Sequence, residues 1–246
     1  GYPLIRQARE MIAAGELGEI KAVRVNYIQG WMRGVTPGDI PARGAWKDDP
    51  LKNGPAATMG DVGSHAYNLA SYVTGLEPAE VSATVRTFAP GRKLDDYGHA
   101  LVRFTNDALC MVTVSQITHG RLNDLSIEVD GEKASLTWRQ ETPNVLTLGQ
   151  FGEPTRIYDR HPAAAYTNES GRAACRLPAG HPEAFFEAFA NVYSAACDDM
   201  VKRATGESFD SRNTLYPNVR DGLAGVRFIG QTIASSQARG AWLPLA

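Results

Sequence analysis

An aspartate and a histidine stand four residues apart in the run Gly60-Asp61-Val62-Gly63-Ser64-His65. On an α-helix that spacing puts both side chains on one face. Asp61 falls in the first turn of the helix that the following residues predict, where the helix dipole favours a carboxylate. A carboxylate beside an imidazole favours the protonated ring and holds it in one orientation. That is what a general base needs to take a proton from a hydroxyl near neutral pH. The same pair fits a plainer reading, a helix-surface pair contributing roughly 0.2–0.5 kcal/mol. The preceding Gly54-Pro55-Ala56-Ala57-Thr58-Met59-Gly60 is small and tight, so a substrate could approach the helix start closely.

The helix carrying the pair is predicted over 61–74, with Ala66, Leu69, Ala70 and Val73 on one face and Gly75 as its stop. Upstream, a helix over 3–14 begins at Pro3 and ends before Gly15, and a strand follows over 20–28. Residues 30–55 read as a long loop of the kind that tends to be functional. Downstream the character turns to strands: 81–88, 99–104, 109–117, 125–129, 134–138, 145–148 and 155–158. Asp130-Gly131 is the strongest hairpin signal among them. Two long helices follow, over 182–204 and 219–237. Their apolar stripes are Phe185, Phe186, Phe189, Val192, Tyr193 and Ala196 in the first, and Leu223, Val226, Ile229, Gly230 and Ile233 in the second. Trp242 and Leu243 read as a short final strand. Strands and helices segregated in this way predict an α+β fold: one large, mainly antiparallel, open-faced sheet with helices packed on one face. No linker or repeat divides the chain, so residues 1–246 read as one domain.

Composition narrows the function classes. Of 246 residues, 43% are hydrophobic and 21% charged, which suits a soluble globular chain with a full core. A net charge of −2 gives no global field for nucleic acid or an anionic membrane. No apolar run approaches the ~20 residues that span a bilayer. Arg6, Arg9 and Glu10 interrupt any signal-peptide core. Cys110, Cys175 and Cys197 are odd in number and far apart, which predicts reduced thiols and a cytoplasmic protein. His99, His119 and His161 show no ligand spacing with Cys, Asp or Glu, so no metal is expected.

The run Ala45-Trp46-Lys47-Asp48-Asp49-Pro50, then Gly54 to Gly60, then Asp61 to Gly75, resembles the Gfo/Idh/MocA family of glucose–fructose oxidoreductases and inositol dehydrogenases. The family pattern is a Trp, a loop of glycines, and Asp-x-Gly-x-His opening a helix that ends in Gly. Ala13-Ala14-Gly15-Glu16-Leu17-Gly18-Glu19-Ile20, Ile127 to Leu136, and Pro178-Ala179-Gly180-His181-Pro182-Glu183 agree with it, so the resemblance covers nearly the whole chain.

The resemblance implies oxidation of a secondary hydroxyl of a sugar or polyol with hydride transfer to NAD or NADP. His65 matches the family's general acid/base and Asp61 the carboxylate that orients it. Members begin with a dinucleotide-binding domain carrying Gly-x-Gly-x-x-Gly and a catalytic Lys-Pro. Neither pattern occurs here. Gly1-Tyr2-Pro3 resembles the point where the chain leaves that domain, which makes residues 1–15 a linking helix and this chain the C-terminal substrate-binding and oligomerisation domain. By itself it is expected to be inactive.

Five further residues carry two readings each. Trp31, with Tyr2 at the domain junction, walls the pocket and stacks on a sugar ring, or simply packs in the core. His181 contacts a substrate hydroxyl, or caps the helix that follows. Asn123, with Arg121, supplies polar contacts, or marks a solvated strand end. A homo-oligomer formed through the open sheet face is expected. The competing functions are a non-catalytic binding or dimerisation module, and an NAD-dependent lyase or hydrolase that oxidises its sugar transiently.

Overall fold

The computed structural model describes residues 1–32, 46–212 and 214–245. Residues 33–45 of the predicted long loop lie outside them. In chain order the elements are α1 (Pro3–Ala13), β1 (Ile20–Ile28), α2 (Pro50–Asn53), a π-turn (Met59–Gly63) and α3 (Ser64–Thr74). Strands β2 (Pro78–Arg86), β3 (Tyr97–Phe104), β4 (Leu109–Ser115), β5 (Asp124–Gly131), β6 (Ser135–Arg139), β7 (Val145–Gly149) and β8 (Arg156–Asp159) follow. Then come α4 (Glu169–Ala174), α5 (Phe185–Thr205), α6 (Val219–Gln237) and β9 (Leu243–Pro244).

All nine described strands join one sheet in the order β8-β7-β6-β5-β1-β4-β3-β2-β9. Its pairings are antiparallel except for β1 with β4, which run parallel with Tyr27 opposite Val114. The fold is α+β, with a large, mainly antiparallel sheet, as the segregated pattern predicts. Alternation sorts each strand between two faces. Val23, Val25 and Tyr27 of β1 and Val112 and Val114 of β4 point to the helix-covered face and are buried. Leu4, Ile5, Ala8, Met11 and Ile12 of α1 and Ala66, Leu69, Ala70 and Val73 of α3 meet them there. Each large side chain so buried contributes about 1.5–3 kcal/mol. On the opposite face Arg24 bridges Glu128 at 2.9 Å and Asp130 at 2.7 Å, while Leu101 and Met111 stand exposed beside it.

Three local expectations are revised. Gly131 is not the turn residue of the β5–β6 hairpin: it closes β5, and its N–H donates to the Ala134 carbonyl at 2.9 Å. A Cβ on Gly131 would lie 2.1 Å from the Leu17 carbonyl oxygen, so close approach, not turn geometry, selects glycine there. The stretch between the strand expected over 155–158 and α5, to which the sequence reading assigns no element, contains the short helix α4, whose Asn168 side chain caps it through the Gly171 N–H.

The third revision concerns the stripes of the last two helices. On α5, Phe185, Phe186, Phe189 and Tyr193 are exposed, and only Ala188 and Asn191 are buried. The helix is fastened by polar contacts. Asn191 Nδ2 donates to the Gly1 and Ala174 carbonyls at 2.9 and 2.7 Å, and the phenylalanines pack mainly on one another. On α6 the buried residues are Phe228, Thr232 and Ser235, while Leu223 and Val226 are exposed. Phe228 fixes that rotation by stacking on Tyr67 at 4.3 Å.

The crowding at Gly131 gives a stability test. Gly131→Ala is expected to destabilise by about 1–3 kcal/mol through forced overlap with Leu17. Gly149→Ala, where an added Cβ meets nothing within 4 Å, should leave the urea midpoint unchanged or slightly raised. Equal midpoints for the two variants would refute the close-approach account.

Candidate active site

Parallel pairing brings the ends of β1 and β4 to the same edge of the sheet, and the antiparallel β5 begins there. The inward phase of β1 runs Val23, Val25, Tyr27 and then Gln29, and that of β4 runs Val112, Val114 and then Gln116. At this edge the apolar faces therefore turn polar. The π-turn and the start of α3 pack above it. Gly63 permits the approach, since a Cβ there would sit 2.5 Å from Met59 Sδ and 3.7 Å from Val114. Asp95 fixes the entry to the turn: its buried carboxylate accepts the Ala57 and Met59 amides, each at 2.7 Å. Burial pushes the Asp95 carboxyl up, and those two backbone bonds oppose the rise.

The polar side chains at this edge form one chain of hydrogen bonds. Gln116 is fully buried. Its Oε1 accepts the Thr58 hydroxyl at 2.9 Å, which turns Nε2 toward Asp61 Oδ2 at 2.8 Å and Gln29 Oε1 at 3.2 Å. Gln29 Oε1 also accepts the Trp31 indole N–H at 3.0 Å, and Gln29 Nε2 donates to Asn123 Oδ1 at 2.7 Å. Tyr27 donates its hydroxyl to the same Asn123 oxygen at 2.8 Å. Lys47 closes the network from the other side, with Nζ 2.6 Å from Asp61 Oδ2. A cleft of about 450 Å³ opens beside it, lined by Trp46, Lys47, Asp61 and, from α6, Val226 and Ile229.

His65 stands exposed at the start of α3. Its ring meets that of Tyr27 edge-on at 6.0 Å, and neither ring nitrogen is hydrogen-bonded among the described residues. Asp61 and His65 are not hydrogen-bonded to each other: Asp61 Oδ2 is taken by Lys47 and Gln116. The physical reason is the π-turn. Its i→i+5 bonding widens the backbone between the two residues, so the i, i+4 stacking of a regular α-helix does not hold across it.

The structure thus joins Asp61, Trp31 and Asn123 through hydrogen bonds, and reaches His65 through Tyr27. Trp31 is 39% exposed and is not a core residue. Asn123 is part-buried and bonded on both sides, not a solvated strand end; its neighbour Arg121 pairs with Asp124. Tyr2 packs on Trp138 at 5.1 Å. Burial pushes its phenol up, and the nearby Tyr27 adds to the rise. His181 lies outside the network, on a segment held from below. There the buried Arg160 pairs with Glu183 at 2.8 Å and donates to the carbonyls of Leu177, Pro178 and His181. The His181 ring is exposed.

Sequence reasoning missed Tyr27, Gln29, Lys47 and Gln116. The first, second and fourth carried a readable signal, as polar groups that prolong the inward phase of an apolar strand. Lys47 carried none beyond its place next to Trp46.

Comparison with known proteins identifies the family. Residues 5–137 match the sequence profile of the GFO/IDH/MocA C-terminal domain. The chain belongs to the GFO/IDH/MocA family. It is 30% identical over 99% of its length to the uncharacterized oxidoreductase YfiI of Bacillus subtilis (strain 168). It is 26% identical over 59% of its length to the levoglucosan dehydrogenase of Pseudarthrobacter phenanthrenivorans, of which that stretch covers 42%. It superposes with a TM-score of 0.92, at 30% identity over 99% of its length, on an inositol dehydrogenase homolog from Azotobacter vinelandii solved with NAD+. The chain spans 62% of the length of YfiI and of the Azotobacter protein. Within this GFO/IDH/MocA domain the profile match takes in Asp61, His65 and the strands that support them.

Asp95→Ala should expose how far the site depends on its entry. Two buried amides lose a charged acceptor, so a loss of about 3 kcal/mol is expected. An unfolding midpoint equal to that of the unaltered chain would show that the Ala57 and Met59 amides find other partners.

Proposed function

We propose that this chain is the substrate-facing and oligomerisation domain, residues 1–246 with 1–15 as a linking helix, of an NAD(P)-dependent oxidoreductase. Its reaction is oxidation of a secondary hydroxyl of a sugar or polyol. The observation that carries the reading is an exposed imidazole with neither nitrogen hydrogen-bonded among the described residues, set against Tyr27 of the polar network that also holds the Asp61 carboxylate. A ring nitrogen of His65 takes the hydroxyl proton, and Asp61, on the same edge, is the carboxylate that orients that imidazole. Trp31 walls the sugar. Asn123 spends its Oδ1 on Tyr27 and Gln29, which leaves Nδ2 to donate to a substrate hydroxyl. Tyr2, beside Tyr27, and the exposed ring of His181 complete the substrate contacts.

The described residues do not by themselves fit a dinucleotide: the one parallel strand pair is not joined by a glycine-rich strand-to-helix turn that could cradle a pyrophosphate. Residues outside this sequence would hold it, and the 246 residues alone are expected to turn over no polyol. Bound, the nicotinamide supplies the hydride acceptor. The relatives' names make inositol and levoglucosan the first compounds to test.

In the complete protein, His65→Ala is expected to lower kcat by about 100- to 10,000-fold while the affinity for NAD or NADP is retained. Steady-state oxidation of inositol, levoglucosan and a panel of free sugars, with cofactor titration by fluorescence, checks this. Undiminished turnover in H65A would remove His65 from the mechanism.

The open sheet face supports assembly. Arg24, Met111 and Leu101 are register neighbours across β1, β4 and β3, so they share one row on that face. A second copy of the chain covering this row would bury Met111, 48% exposed, and Leu101, 38% exposed. Met111→Glu is expected to halve the mass seen by light scattering at micromolar concentration, with the fold retained. An unchanged mass would place the contact elsewhere.

A further inference from the structure

We infer that Lys47 is a positioning residue for Asp61: its ammonium and the Gln116 amide clamp one carboxylate oxygen, Oδ2, and leave Oδ1 to the reacting groups. The inference rests on the oxidoreductase reading above and adds to it a residue that the Asp61/His65 pair does not include.

Both donors go to the same oxygen, Lys47 Nζ at 2.6 Å and Gln116 Nε2 at 2.8 Å. Asp61 Oδ1 accepts nothing among the described residues. A carboxylate gripped on one oxygen from two directions cannot turn about its terminal bond without breaking a charge-assisted hydrogen bond. Oδ1 is therefore the atom presented to solvent, substrate or imidazole.

Each donor is itself held. Gln116 is fully buried, and the Thr58 hydroxyl fixes the sense of its amide. The Lys47 ammonium lies over two indole rings, 5.6 Å from the Trp31 centroid and 5.9 Å from that of Trp46. Its backbone carbonyl accepts Asn53 Nδ2 at 3.1 Å, and the same nitrogen reaches the Ala56 carbonyl at 2.8 Å. The strand that leads into Gln116 and the loop that ends at the π-turn so converge on one carboxylate oxygen. A surface ion pair between flexible side chains has neither feature and contributes little. Here the lysine side chain is only 24% exposed.

The clamp has a second consequence. Lys47 touches Trp31 and Trp46 while lining the cleft, so the same ammonium that holds Asp61 also sets the wall against which a sugar ring would lie. Loss of Lys47 should disturb the chemical step more than cofactor binding, because the misplaced group is the orienting carboxylate.

The test uses the complete protein with Lys47→Met, Lys47→Arg and Lys47→Gln, assayed on whichever of inositol, levoglucosan and the panel of free sugars it oxidises fastest. A displacement of the carboxylate by about 1 Å is expected to lower kcat in K47M by about 10- to 100-fold. The KM for the cofactor should stay within about twofold, and K47R should recover most of the lost kcat. K47Q, which keeps a donor but not the charge, should fall between them, and it serves in place of K47M if that variant does not fold. Crystal structures of the complete protein and of the methionine variant should show the Asp61 carboxylate fixed in the first and rotated in the second. A kcat in K47M equal to that of the unaltered protein overturns the clamp and leaves the functional reading standing. Equal losses in K47M and K47R, with a matching fall in Tm, assign Lys47 to folding alone and also overturn it. A complete protein inert toward inositol, levoglucosan and the panel of free sugars overturns the functional reading, and the clamp's role with it.

Discussion

The parallel pairing of β1 with β4 is the constraint on which the site depends. In a sheet whose other pairings are antiparallel, this one places the carboxyl ends of two strands side by side. Gln29 and Gln116 meet only for that reason. With the opposite polarity the two side chains would lie near opposite ends of a nine-residue strand, about 25 Å apart. β5 then enters on the far side of β1 and contributes Asn123 at the same edge. The position is a consequence of topology, and the polarity of the residues follows from it: inward-facing positions past the end of the strands meet the polar groups of the π-turn in place of an apolar helix face, and can carry amides.

Amides placed there must all be satisfied. A buried glutamine with an idle donor or acceptor costs about 1–3 kcal/mol, so a half-formed network would be worse than an apolar plug. In this network Gln116 uses Oε1 once and Nε2 twice, and Gln29 uses both ends. The result is an ordered path from Thr58 to Asn123 that supports a carboxylate on a branch from Gln116 without covering it. His65 has the opposite environment. It is exposed, touched at the edge by Tyr27, and free at both nitrogens among the described residues. A proton acceptor needs an open lone pair, and the group that aims it needs a fixed one. Under the proposed function, His65 and Asp61 would meet those two requirements in turn.

Much of this was legible in the sequence. Apolar alternation at Val23, Val25 and Tyr27 and helical spacing at Ala66, Leu69, Ala70 and Val73 report burial directly, and the corresponding elements are present with their expected faces. Asp61 and His65 were legible because their spacing and their setting are local. The wiring was not, because hydrogen bonds such as Gln116 to Asp61 join residues 55 positions apart and leave no periodic trace. Nor did periodicity report how α5 is held. A stripe of Phe185, Phe186 and Phe189 measures how apolar a face is, not what lies against it, and Asn191 fastens the helix instead. The same limit explains α6, where the Tyr67 stack on Phe228 decides the rotation and no property of α6 alone contains Tyr67.

The π-turn accounts for the largest difference between the sequence pattern and the arrangement in space. A regular α-helix through 59–65 would have stacked Asp61 and His65 on one face and tied them to each other. The wider turn lets Asp61 reach the lysine and glutamine beneath the helix start while His65 stays on the outer side. It is tolerated because its ends are secured independently, by Asp95 at the Met59 amide and by the contact of Gly63 with Met59 near Val114. Any larger residue at 63 would have to displace the Met59 sulfur or lift the helix from β4, and lifting it would separate Asp61 from Gln116. The glycine in Asp-x-Gly-x-His is therefore as much a part of the site's geometry as the two ionisable residues around it, although it touches no reacting atom.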